Sequence, residues 1–195
     1  MNQKENTIRA FIAVEIPQNI FPFLKKTCEN FKSIIKKTNR ISWVNIENIH
    51  ITLKFLGDIN IDAIDKIKEA IKITAKQISP FSLKLKEIGV FPSVRKPRVI
   101  WLGISENVKK LITLNEILED NMEKIGFSKE EKQFKAHITM ARVKEIKSYE
   151  EIANAINSVS APESESFMCD KLILFQSTLK PTGAIYNKII VEPLK

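Results

Sequence analysis

Apolar positions fall into two similar series along the chain, each switching between a two-residue and a 3.6-residue period. The first opens with an apolar run over residues 9–16, closed by Pro17. Phe23, Leu24, Thr27, Phe31, Ile34 and Ile35 follow at helical spacing. Residues 49–56 then read as a strand stopped by Gly57-Asp58. Ile64, Ile67, Ala70, Ile71, Ala75 and Ile78 line one face of a second helix, with Asn60 as its N-cap. Pro80 separates that helix from an alternating strand over residues 81–88. The second series begins after a connection at 89–97. Residues 98–104 predict a strand. A helix over about 106–124 carries Val108, Leu111, Ile112, Leu118 and Met122, with Gly126 at its C′ position. Residues 136–143 predict another strand, and Ser148 with Glu151 a capping box for a helix reaching Val159. Residues 170–175 and 186–192 read as closing strands, joined through a turn at 181–183.

Both series run strand, helix, strand, helix, strand, and both carry His-Ile-Thr in the same strand. Arg98 follows Arg9 by 89 residues, His137 follows His50 by 87, and Phe167 follows Phe81 by 86. That order of elements occurs in many α/β proteins and proves little alone. The recurrence of one tripeptide at one place in each series points to duplication. The expected fold is α+β: two pseudo-symmetric lobes, each an antiparallel sheet with helices on its outer face, flanking a central groove. Residues 1–195 would form a single bilobal domain, with repeats at about 8–88 and 97–176.

Composition narrows the partners. The chain has 195 residues, 31 of them Lys or Arg and 23 Asp or Glu, for a net charge of +8. At 44% hydrophobic and 28% charged it is an ordinary globular protein. The basic balance favours anionic partners, RNA or DNA first. Two histidines and two distant cysteines, Cys28 and Cys169, cannot build a tetrahedral Cys/His zinc site. Free thiols suggest a reducing compartment. Residues 1–9 lack a signal-peptide core, and no run is long enough to span a bilayer. A cytoplasmic, monomeric protein is expected, with no metal and no cofactor.

Residues i and i+2 of a strand share a face. His50 and Thr52 therefore point one way, as do His137 and Thr139, and pseudo-symmetry would set the two pairs across a groove. Phosphodiester hydrolysis needs a base for the attacking water and an acid for the leaving oxygen. Histidine can serve as either near neutral pH. Threonine hydroxyls can donate to the non-bridging phosphate oxygens. One His-x-Thr alone would more often be a strand residue satisfied by a neighbour. Two copies, holding every histidine in the chain, favour function. Strict alternation also puts Lys54 on the groove face, as a phosphate contact or a solvated lysine. Phe11, sharing a face with Arg9 and Glu15, is a candidate to stack a terminal base, with a core role competing. Basic clusters at Lys36, Lys37 and Arg40, at Arg95, Lys96 and Arg98, and at Lys129, Lys132 and Lys135 are candidates for backbone contacts to RNA.

These residues resemble the two-histidine (2H) phosphoesterase superfamily and, within it, the RNA 2′,3′-cyclic phosphodiesterases also called 2′-5′ RNA ligases. The likeness covers nearly the whole chain. It rests on Arg9-Ala-Phe-Ile-Ala, Trp43-Val, His50-Ile-Thr-Leu-Lys-Phe-Leu-Gly57, Phe91-Pro, Arg95-Lys-Pro-Arg98-Val-Ile-Trp-Leu-Gly103, Phe134-Lys-Ala-His-Ile-Thr-Met-Ala-Arg142, Ser177-Thr-Leu and Gly183-Ala-Ile-Tyr186. Two positions depart from the family pattern: Ala136 stands where proline is common, and Ser42 where arginine is common. The resemblance implies that His50 protonates the leaving 3′-oxygen and His137 activates water, leaving a 2′-phosphate. With an RNA 5′-hydroxyl in place of water, the site would join RNA ends through a 2′-5′ linkage. It adds Trp43 and Arg142 as substrate-binding candidates, although alternation turns Arg142 away from His137 unless a bulge intervenes. It also implies RNA with 2′,3′-cyclic phosphate ends, including tRNA fragments, as partner. The strand at about 185–192 would pack with the N-terminal strand.

Two alternatives remain at this level. A small cyclic-nucleotide or 2′-5′ oligonucleotide phosphodiesterase of the same superfamily would use the same residues. A non-catalytic RNA-binding module would carry an aromatic sheet signature, which is missing, and would leave the paired His-Thr sets without a purpose.

Overall fold

The computed structural model describes residues 6–35, 39–159, 163–181 and 183–195. The elements run β1 (Thr7–Glu15), α1 (Phe21–Ile34), β2 (Arg40–Trp43), β3 (His50–Asn60), α2 (Ile64–Ala75), β4 (Phe81–Leu83) and β5 (Leu85–Phe91) in the first half. The second half runs β6 (Val99–Ile104), α3 (Val108–Glu123), β7 (His137–Glu145), α4 (Tyr149–Ser158), β8 (Phe167–Cys169), β9 (Lys171–Lys180) and β10 (Gly183–Pro193). Antiparallel pairing gives sheets β10-β9-β1-β3 and β2-β7-β6-β5, with a small pair β4-β8. This is the expected α+β architecture of two lobes. Alternation divides β1 between two faces. Ile12 and Val14 pack into the main core with Leu24 and Phe31 of α1 and Ile67 and Ile71 of α2. Phe11 and Ala13 join Ile173 and Phe175 in a smaller cluster on the opposite face, with Tyr186 against it.

The lobes are not the halves of the sequence. The strand expected over 81–88 divides at Lys84 into β4 and β5, which belong to different sheets. Phe81, Leu83 and Leu85 are all buried, so the period never breaks and only the hydrogen-bond partner changes. β5 crosses to pair with β6, the first strand of the second repeat, and β9 crosses back to pair with β1. β4 pairs with β8 at the crossing, Ser82 facing Met168, so the local pseudo-axis runs through that pair. β5 also extends to Phe91, into the expected connection. The C-terminal strand joins the sheet of β1, but β9 lies between the two.

Local signals fared unevenly. Gly126 closes α3 with φ +97°. Its N–H donates to Glu123 O at 2.9 Å and the Phe127 N–H to Met122 O at 3.0 Å, the paired bonds of a Schellman end. The Asn60 side chain caps a 3-10 turn that leads into α2, accepting from Asp62 N at 3.1 Å. Ser148 precedes α4 but makes no side-chain cap. Asn39 instead holds the turn that enters α4: its Oδ1 accepts from Lys147 N at 2.8 Å and Ser148 N at 3.3 Å, and its Nδ2 donates to Glu151 at 3.0 Å. Gly57 does not stop β3, because a bulge lets the strand continue to Asn60. Thr182 of the expected turn, and Lys36 and Lys37 of the first basic cluster, lie outside the described residues. Cys28 and Cys169 are buried free thiols, and burial pushes Cys169 up to about 12. Among the described residues no helix is long and apolar enough to cross a membrane.

Candidate active site

His50 and His137 each open a strand, just after a turn that brings a backbone carbonyl back under the ring. His50 Nδ1 donates to Asn48 O at 2.8 Å, and His137 Nδ1 donates to Lys135 O at 2.6 Å. A carbonyl only accepts, so each bond places a proton on Nδ1 and leaves Nε2 for a ligand. Thr52 and Thr139 follow at i+2, half-buried on the same face as their histidines. β3 and β7 approach within 8 Å between Cα atoms. Burial holds both imidazoles below their ordinary value, and the charge of His137 lowers His50 further; the backbone bonds oppose this. The two rings are thus carried on neighbouring strands, and the charge of His137 is felt at His50.

Aromatic rings hold each imidazole. Phe11 stacks on His50 at 4.6 Å and Tyr186 meets it edge-on at 5.3 Å. Phe91 meets His137 edge-on at 5.0 Å and itself stacks on Trp101 at 5.1 Å. The Trp101 indole lies so close over Gly89 that a Cβ there would come 2.2 Å from it.

A bulge decides which neighbours reach the groove. In β3 the register passes from Ala13 opposite Thr52 to Ile12 opposite Lys54, which leaves Leu53 unpaired. In β7 it passes from Trp101 opposite Thr139 to Ile100 opposite Ala141, which leaves Met140 unpaired. Each bulge reverses the parity downstream. Lys54 accordingly does not line the groove. It is 3% exposed and ion-paired to Glu119 at 2.5 Å. Arg142 is turned to the face of His137 and Thr139, and its charge, with that of Arg9, is felt by Tyr186. Phe55, which alternation would send to the core, is 58% exposed with its ring 6.0 Å from Phe11.

Two further candidates are corrected. Phe11 faces the groove side but is only 3% exposed, wedged between His50 and Phe175, so it has no free face for a base. Trp43 pairs with core-facing Ala141 and packs against Phe31, with Lys32 Nζ 4.8 Å from its ring. Of the basic clusters, Lys135 reaches the site, its Nζ 5.4 Å from the Phe91 ring. Lys129 pairs with Asp120 and Glu123 beside α3. Arg40 sits opposite Glu145 in the ladder. Sequence reasoning did not single out Phe91 and Tyr186, whose rings touch the histidines, or Phe55, which lies beside Phe11. The signal for the bulge was present in Met140-Ala141, two apolar residues in succession at the positions of Leu53-Lys54. A cleft of about 460 Å³ opens away from the histidines, between α3 and residues 129–134.

A family model for LigT-like phosphoesterases matches residues 14–101 and again 102–186. An RNA 2′,3′-cyclic phosphodiesterase of Methanocaldococcus jannaschii is 34% identical over 182 residues, 93% of this chain and 98% of that one. One of Aquifex aeolicus is 36% identical over 186 residues, 93% and 95% of the two chains. Among solved structures, TT0787 of Thermus thermophilus superposes with a TM-score of 0.76 at 24% identity, covering 96% and 98%. E. coli LigT complexed with 3′-AMP gives 0.68 at 22%, covering 97% and 99%.

Proposed function

The chain belongs to the LigT-like phosphoesterase family, and from that premise we propose that its groove is the active site of an RNA 2′,3′-cyclic phosphodiesterase. The observation that carries this reading is the pair of imidazoles, one per repeat, each anchored through Nδ1 with Nε2 left for a ligand, on two strands that approach within 8 Å. His137 Nε2 takes a proton from water as the water oxygen bonds to phosphorus. The bond from phosphorus to the 3′-oxygen breaks, and His50 Nε2–H supplies that oxygen with its proton. The product keeps a 2′-phosphate, and exchange with solvent restores both rings. The family pattern sets this direction, since the geometry is nearly symmetric. Thr52 and Thr139 donate to the non-bridging oxygens, and Arg142 adds positive charge on the His137 side. Exposed Phe55 offers a terminal base a face to stack on. With an RNA 5′-hydroxyl attacking phosphorus in place of water, the same path, again breaking the bond to the 3′-oxygen, forms a 2′-5′ bond.

The test is to incubate the protein, with EDTA, with an RNA oligonucleotide ending in a 2′,3′-cyclic phosphate. A 2′-phosphate product is expected, and it should be lost in His50→Ala and in His137→Ala. General acid and base contributions imply a fall of roughly 10²- to 10⁴-fold for each. Hydrolysis that survives both substitutions, or that strictly requires metal, would overturn the reading.

A further inference from the structure

The two bulges are held differently. In β7 the unpaired Met140 is closed by backbone, Val44 N donating to Met140 O at 2.9 Å as β2 runs alongside. β3 is the edge of its sheet, with β1 as its one ladder partner. A buried carbonyl without a donor is costly. Helix α3 supplies one: Asn115 Nδ2 donates to Leu53 O at 2.8 Å. One turn further along α3, Glu119 Oε2 receives Lys54 Nζ at 2.5 Å and Glu130 N at 3.3 Å, while Lys54 also donates to Ser128 O at 2.8 Å. Asn115, Lys54 and Glu119 are each less than a tenth exposed. None of them touches the groove. A buried ion pair is weak evidence for stability, because apolar residues of similar volume often do as well; fixing a register is its better-attested use.

We infer that Asn115, backed by the Lys54–Glu119 pair, is a positioning device for the His50 half of the site. It holds Leu53 and Lys54 in the bulged register that keeps His50 and Thr52 on the groove face and returns Phe55 to it. Without the clamp, β3 can relax toward regular pairing, and a one-residue change of register moves side chains to the opposite face. The helix belongs to the second repeat and the strand to the first, so each repeat closes the bulge of the other. The catalytic consequence rests on His50 being the proton donor proposed above.

The chain has two histidines, so imidazole NMR signals resolve each ring separately. Two variants are compared with the wild type: Asn115→Ala, and Lys54→Met with Glu119→Leu, which removes both buried charges together. Each is titrated by NMR and assayed on the cyclic-phosphate oligonucleotide. In both, the His50 titration should move toward its ordinary value while that of His137 stays. kcat should fall roughly 10- to 100-fold, the cost of a misplacement of about 1 Å, with KM held within about threefold. An unchanged His50 titration with kcat within about twofold of wild type overturns the inference, as does an equal movement of both rings, which reports general loosening. If Asn115→Ala does not fold, the double variant decides. If His50→Ala keeps full activity the catalytic reading fails, yet the NMR titrations still report on the clamp, so the two failures are distinguishable.

Discussion

At the scale of single residues, the two histidines share a physical situation that shapes any pH dependence. Both are held below the ordinary imidazole value by burial. The proposed mechanism needs His50 protonated and His137 neutral at once. In the free protein that combination is most populated on the acid side of about pH 6.5. A bound phosphodiester places a negative charge beside His50 and raises it. The optimum of kcat/KM should therefore lie at lower pH than the optimum of kcat, which rate profiles between about pH 5 and 8 would reveal. Coincident optima would contradict a charge-coupled donor. The same shifts bear on folding. A folded value below the unfolded one means that the unfolded chain binds more protons in the window between them, so stability is full above about pH 6.5 and declines as pH falls. Urea unfolding at pH 7.5 and at pH 5 should show this decline, and replacing both histidines by asparagine should reduce it. Lys54 shows what residue-level reading overlooked. Its spacing from His50 was right for a regular strand, and one unpaired residue between them reversed its side.

At the scale of elements, close packing makes definite demands. Gly89 of β5 lies under the Trp101 indole of β6, with 2.2 Å between the ring and any added Cβ. Both strands are committed to their ladder at that point, Gly89 facing Trp101. Gly89→Ala should therefore cost about 1–3 kcal/mol in thermal unfolding. It should also lower turnover, because Trp101 supports the Phe91 ring against His137. Wild-type stability in that variant would mean the indole has room to retreat. Asn39 makes the contrasting case, since it ties the turn before α4 to that helix through Lys147 N, Ser148 N and Glu151. Asn39→Ala should cost about 1–3 kcal/mol, the penalty of buried groups left without partners, and leave kcat within about twofold of wild type, since the loss is confined to the turn before α4. The period of the sequence was sufficient to place the helices and most strands. It did not show the cut at Lys84 or the bonds from Asn39 to the turn before α4, because both depend on which distant segment supplies a hydrogen-bond partner.

At the scale of the whole molecule, the exchange of β5 and β9 ties the lobes together. Each sheet contains strands from both halves of the chain, and β4 pairs with β8 where they cross. Neither lobe can unfold without stripping strands from the other. Calorimetry should give a single transition whose calorimetric and van't Hoff enthalpies agree. Two separable transitions would show that the exchanged strands do not couple the lobes. The amino-acid sequence by itself determined the duplication, the order of elements and the pairing of each histidine with a threonine on one strand face. Those features live in local periodicity and in the recurrence of His-x-Thr, which any extended strand displays on one face. Tertiary structure alone decided that Arg142 and Phe55 turn toward the groove and Lys54 turns away, that Phe11 is covered, and that α3 holds the bulge in β3. The physical reason is common to all of these. A bulge changes the parity of a strand and leaves one residue out of the ladder, and at Leu53 and at Met140 a segment distant in sequence supplies the donor for that residue's carbonyl.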